Sequence, residues 1–202
     1  MRPAFYPLDD FPALAGLVAH CSLMQQELLD LNAPLLDIDR TDKPHQQVHS
    51  EVTEHLQQGG DYGWLKGWGN AGGNRDWVQY PLVFQDRPIA PALAVLPATL
   101  ALLGAVSGLK VAALARLAPH AWLSTHRHPE VRDEGLLQMH LTLSAASERN
   151  YAYLNVAGQF HQHQSGAAVI FDGSLDHFVV NASDEPRTIL YLEFEQARLT
   201  AQ

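Results

Sequence analysis

The chain has 202 residues, enough for a domain with a sizeable core. Apolar residues make up 47% and charged ones 17%, a globular composition that excludes a disordered chain. The formal net charge is -9 with no basic run, which argues against nucleic acid as a partner, and the single cysteine, Cys21, excludes an intramolecular disulfide.

The N-terminal stretch "MRPAFYPLDD" lacks the apolar core of a signal peptide, so a cytoplasmic location is expected. Residues 1–58 read as helical. "FPALAGLVAHCSLMQQELLDL" carries apolar residues at helical spacing, and "HQQVHSEVTEHLQQ" is a polar helix that ends at Gly59-Gly60. The pattern then changes. "YGWLKGWG" and "WVQYPLVFQ" are short, aromatic and bounded by Gly and Asn, which predicts strands joined by a turn at "NAGGNRD". Residues 89–108 carry no charge and are long enough to cross a bilayer. Pro91, Pro97 and the isolation of the segment favour a buried helix from about Pro97, with no membrane span.

Six strand-like segments follow: "LKVAALARLA", "GLLQMHLTLS", "NYAYLNVAG", "AAVIFDG", "HFVVNA" and "RTILYLEFE". In "GLLQMHLTLS", Leu137, Met139, Leu141 and Leu143 face one way, and Gln138, His140 and Thr142 the other. A barrel with an apolar outer layer and a polar lumen produces this alternation. The predicted fold is α+β, mainly β: a double-stranded β-helix (jelly roll, cupin-like) over residues 60–195, with N-terminal and flanking helices, in one domain over 1–202.

Seven of the eleven histidines lie between residues 120 and 177. In "STHRHPEV", His126, His128 and Glu130 alternate, so on an extended strand all three face one site. "NASDEP" is a turn signal, and folding residues 171–194 about it as a hairpin sets His177 opposite Arg187. An imidazole beside a guanidinium makes sense if the imidazole is neutral, as a metal ligand must be, and the arginine receives an anion. Asp176, next to His177, points to the opposite face. "FHQHQ", with His161 and His163 among glutamines, reads as an exposed edge.

The order "HxHP … MHLTL … G-AAVIFDGSLDH … R" resembles the aspartyl/asparaginyl β-hydroxylase family of iron(II)- and 2-oxoglutarate-dependent oxygenases. Pro119 precedes His126 by seven residues and His177 precedes Arg187 by ten, as in that family, and "RDWVQYPLV" and "LPATLALL" also look like family segments. The resemblance implies a jelly-roll hydroxylase using Fe(II), 2-oxoglutarate and O₂. It implies His126 and His177 as iron ligands, Arg187 as the anchor of the distal carboxylate of 2-oxoglutarate, and His140 beside that cosubstrate. It implies that Trp77 and Gln79 lie near cosubstrate and substrate. An arginine fork fits a carboxylate at two points, and imidazole nitrogens suit Fe(II).

Three positions depart from the pattern. His128 stands where Asp is usual and Gly occurs in some relatives, and it is a candidate third metal ligand. Ala115 replaces a serine that helps hold the cosubstrate. Gln138 replaces an arginine on the substrate side, which leaves an acidic-peptide substrate open to question. The substrate stays open between peptidyl Asp or Asn, a free amino acid and another small molecule, and so does the oligomeric state. The alternatives are a three-histidine iron dioxygenase that uses no 2-oxo acid, and a metal- or ligand-binding jelly roll without turnover.

Overall fold

The computed structural model describes residues 3–38, 40–68 and 74–199. Of the turn expected at "NAGGNRD", residues 70–73 lie outside the described residues and residues 74–76 begin β3. In chain order the elements are β1 (Phe5–Tyr6), α1 (Pro12–Ala19), α2 (Cys21–Asp30), α3 (His45–Gln57), β2 (Leu65–Gly67), β3 (Asn74–Phe84) and β4 (Arg87–Pro88). Then follow α4 (Ala90–Val95), α5 (Pro97–Gly104), β5 (Leu109–Leu117), β6 (Ala121–His126), α6 (Pro129–Asp133), β7 (Leu136–Ser144) and β8 (Ala152–Val156). The chain closes with β9 (Gln159–Gln162), β10 (Ala168–Phe171), β11 (His177–Asn181) and β12 (Arg187–Glu195).

Among the described residues the strands form two antiparallel sheets. The large one runs β1-β10-β7-β12-β5-β3-β2, with β4 on β3, and the small one runs β6-β11-β8-β9. This is the jelly roll of the sequence reading, with helices outside it. All six predicted late strands are present, and β6 and β9 join them. The alanine-rich β5 is a strand although Ala favours helix, because nearly every residue in it is buried on one face or the other and tertiary burial outweighs propensity.

The outer face of the large sheet carries the main core. Leu137, Met139, Leu141, Leu190 and Leu192 pack there against Leu14, Leu17, Met24 and Leu100 of the helices, all of them buried. The helical segment from Phe11 to Leu31 is broken at His20 into α1 and α2. α5 starts at Pro97, as expected. Its first free N–H groups, from Ala98 and Thr99, donate to the Glu27 carboxylate at 2.7 and 2.8 Å, a negative group at the positive end of the helix. No helix among the described residues is long and apolar enough to cross a membrane.

The inner face is covered differently along its length. One part faces the small sheet across Trp77, Leu117, Leu154, Val156, Phe171 and Val179. The other part lies near α3, a polar helix seated by a narrow apolar stripe, with Val48 and Val52 against Leu36 and Leu65.

Candidate active site

The two sheets line a pocket between them, and strand register builds its walls. On the large sheet Trp77 and Arg187 both pair with Leu117, and Gln79 and Ile189 both pair with Ala115. Tyr191 pairs with both Ala113 and His140. Directly opposed residues share a face, so these side chains turn inward as a set. Trp77, Gln79, Gln138, His140 and Arg187 all line the pocket with Ala115.

The small sheet supplies the histidines. His177 pairs with His126 across β11 and β6, and their ring centroids are 4.2 Å apart. The expected shared strand face for His128 is corrected: β6 ends at His126, and His128 is the residue that caps α6. The turn into that helix, rather than strand alternation, brings its ring to 5.3 Å from His126 and 5.5 Å from His177. One ring nitrogen from each of the three lies within 4.8 Å of the others.

The second nitrogen of each ring is also accounted for. Nδ1 of His126 faces the Ser124 carbonyl at 2.7 Å, and Nδ1 of His177 faces the Leu175 carbonyl at 2.8 Å. Nδ1 of His128 faces the Glu130 carboxylate at 3.1 Å. A carbonyl oxygen only accepts, so in the first two rings Nδ1 is the N–H and Nε2 carries the free lone pair. Burial, with neighbouring imidazoles, holds the His177 pKa down to about 3, and burial lowers His126 in the same direction. Neutral rings with oriented lone pairs are the form a metal requires, and Nδ1 partners of this kind fix the tautomer of metal-bound imidazoles. The donor set fits Fe(II) with positions left open. Glu130, placed with the histidines in the sequence reading, reaches only the outer side of His128, and Asp176 is exposed, as expected.

Arg187 is 2% exposed, and its Nε has no hydrogen-bond partner. Burial lowers its pKa to about 9, which leaves it cationic at neutral pH. The predicted hairpin that set Arg187 opposite His177 is corrected. β11 pairs with β6 and β8, β12 pairs with β5 and β7, and "NASDEP" carries the chain from one sheet to the other. Both residues still reach the pocket, from opposite walls.

The exposed edge expected for "FHQHQ" holds for β9, the edge strand of the small sheet, and is corrected at His163. His163 is 1% exposed, and its Nε2 is 3.2 Å from Nδ1 of His140. The Phe171 ring lies between the walls, 4.9 Å from His140 and 5.5 Å from His177. Several pocket residues escaped the sequence reading, Trp68 and Arg40 among them. Trp68 packs at 5.0 Å from both Trp77 and His126, and the Arg40 guanidinium lies 5.2 Å over the Trp77 ring. Charge among "DIDRTDKP" gave no period from which to place Arg40.

A jelly roll with three convergent histidines and a buried, unpartnered arginine on its inner walls defines the class of site. The family model described as aspartyl/asparaginyl beta-hydroxylase matches residues 34–197, and the chain belongs to that hydroxylase family. A curated relative, the ornithine lipid ester-linked acyl 2-hydroxylase of Rhizobium tropici, is 31% identical over 98 residues, 48% of this chain. The match spans 34% of that relative's length. Among solved structures, the Cupin_2 domain of an XRE family transcriptional regulator from Enterobacter cloacae is similar at a TM-score of 0.41 and 18% identity, over 59% of this chain and 97% of that one. The Schizosaccharomyces pombe Cnp3 cupin domain is similar at 0.41 and 7%, over 60% and 66%.

Proposed function

We propose that the protein is an Fe(II)- and 2-oxoglutarate-dependent hydroxylase of a small-molecule or peptidyl substrate. The observation that carries the reading is the pairing, in one pocket, of three mutually close histidines with a buried cation that has no partner of its own. His126 and His177 hold the metal, with His128 as the third ligand where most 2-oxoglutarate oxygenases carry Asp and some members of this family carry Gly. Arg187 receives the distal carboxylate of 2-oxoglutarate through its planar fork, in a place dry enough to make that contact strong.

His140 donates beside it. Within the His140–His163 pair, His163 Nδ1 is buried without a partner, and a buried acceptor left alone costs less than a buried donor left alone. His163 Nε2–H therefore donates to His140, and His140 keeps its Nε2–H for an anionic ligand. Bound there, Fe(II) and 2-oxoglutarate supply O₂ activation coupled to decarboxylation, giving succinate, CO₂ and one oxygen atom inserted into a C–H bond. Trp68, Trp77, Leu123, Val179 and Ile189 keep water from the reacting atoms.

The third histidine also suits a dioxygenase that needs no 2-oxo acid. Such an enzyme has no use for the Arg187 anchor, which is why the 2-oxoglutarate reading is preferred. Assay of succinate released from 2-oxoglutarate with Fe(II), with and without candidate substrates, tests the choice. No succinate under any condition sinks the proposal and favours a three-histidine enzyme or a binding module.

A further inference from the structure

The outer faces of the two sheets are both apolar, and only one of them is covered. Helices α1, α2 and α5 close over the large sheet. On the small sheet, strand register turns two rows of side chains outward. Trp122, Val180, Tyr153 and Gln162 stand side by side in the first row, and Phe178, Asn155 and Phe160 in the second. Their sequence neighbours Leu123, Leu154 and Val179 point inward and are buried. Tyr151, just ahead of β8, continues the column of Tyr153. Trp122 is 68% exposed, Phe160 64% and Tyr151 50%. An antiparallel sheet with one face to water is ordinarily polar on that side, and this one is aromatic.

The face asks for no polar partner. Neither row holds a charged residue, in a chain with 13 basic and 22 acidic ones. Its amides are already engaged: Asn155 Oδ1 accepts from the Gly158 N–H at 3.1 Å, and Gln162 Nε2 donates to the Asn150 carbonyl at 2.7 Å. Phe160 lies edge-on to Tyr153 and Phe178, at 6.3 and 5.8 Å between ring centroids, so the rings form a continuous patch. Charge and area select what covers it. Two copies of a chain with net charge -9 repel one another, and they meet at least cost where charge is absent. An uncharged face gives no steering to a basic partner. A second sheet face laid on it matches its shape, and two-fold symmetry presents the same face twice. With about 150–250 Å² per aromatic side chain, Trp122, Phe160 and Tyr151 leave ~400 Å² open, and the part-buried Phe178, Val180, Tyr153 and Gln162 add roughly 200 Å². Two copies then bury ~1,200 Å², the lower bound of a specific interface.

We propose that the outer face of the small sheet is the interface of a symmetric dimer, covered by a second copy of this chain. None of its residues lines the pocket, so pairing leaves the pocket lining untouched, and the assignment stands apart from the reading of the chemistry. The interface backs onto β6 and β11, the strands that carry His126 and His177.

Sedimentation velocity over a hundredfold range of protein concentration tests the pairing. The protein is expected to pass from monomer to dimer, and no further, at micromolar concentrations. Added salt is expected to keep the dimer as tight or to tighten it, because screening removes repulsion between the copies and the face has no ion pair to weaken. Trp122→Glu combined with Phe160→Glu is expected to weaken the dimer tenfold or more, since it sets carboxylates against their own copies across the two-fold axis. Trp122→Gln alone, an uncharged change at an exposed position, is expected to weaken it threefold or more and serves if the double variant does not fold. Leu29→Glu, on α2 and away from the face, is expected to change it less than threefold. Unaltered far-ultraviolet circular dichroism confirms that the variants are folded. A monomer at every concentration overturns the proposal, and so does association that runs on past the dimer. A dimer unweakened by the Trp122 variants puts the interface elsewhere. Equal weakening by Leu29→Glu reduces the pairing to unspecific association. A monomer that sediments with phosphatidylcholine vesicles, and no longer does so in the Trp122 variants, assigns the face to lipid instead.

Discussion

The two faces of β7 and β12 are built from the same strands to opposite ends. Outward, Leu137, Met139, Leu141, Leu190 and Leu192 meet helices and ask only for volume. Inward, Gln138, His140, Arg187 and Tyr191 carry polar atoms into a space nearly as dry, and some of those atoms have no partner. Gln138 Nε2 donates to Tyr191 and Glu193 at 2.7 and 3.0 Å, but its Oε1 accepts nothing. Native interiors satisfy most buried polar groups, so the unsatisfied ones set this face apart from the outer one. One face holds the protein together, and the other is left incomplete.

Substitutions on the two faces should therefore fail in different assays. The largest effect is expected from His126→Ala or His177→Ala. Metal binding and succinate formation should be abolished, with an unfolding midpoint close to that of the unaltered protein, because neither ring belongs to the apolar core. Full activity in either variant would remove the metal site as drawn. On the outer face, Leu190→Ala or Met139→Ala should cost ~2–5 kcal/mol in denaturant unfolding, the range for emptying a packed core position. Their 2-oxoglutarate affinity, measured on folded protein, should be unchanged. If affinity falls with stability, the faces are not independent.

The division was legible in part. The alternation in "GLLQMHLTLS" separates the two faces correctly, because period two is a local property of a strand. The residues brought to the pocket through family spacing, His126, His177, His140, Trp77, Gln79, Gln138 and Arg187, do meet there. The hairpin failed for a definite reason. Turn chemistry at "NASDEP" says that the chain reverses, not that the flanking strands pair, and in a jelly roll they enter opposite sheets. His163 was misjudged because glutamine neighbours describe β9, whereas the chain beyond that strand dives under His140. Arg40 had no signal at all, since an irregular segment is placed by what it packs on.

Two smaller effects sharpen the inner face. Arg187→Ala should weaken 2-oxoglutarate binding by ~2–4 kcal/mol, the order for removing one partner of a buried charge pair. Arg187→Lys should restore only part of this, keeping charge but losing the fork. Unchanged affinity in both would assign the cosubstrate elsewhere. Smallest of all, His128→Gly should lower metal affinity about tenfold if its ring ligates, and His128→Asp should preserve or raise it. Metal titration followed by equilibrium dialysis decides; no change in His128→Gly places a water there instead.

Phe171 belongs to neither face's chemistry, yet its ring touches His140 on one wall and His177 on the other. It acts as a spacer between the three-histidine cluster and the wall that carries His140 and Arg187. Sheets stacked face to face stand about 10 Å apart, and a single aromatic ring can set the local departure from that interval. The reach from the three histidines to Arg187 is thus a dimension of the scaffold. A Phe171→Leu change would alter that dimension while leaving every histidine and arginine of the site unsubstituted. Such a protein could bind each component normally and still hold them at the wrong distance from one another.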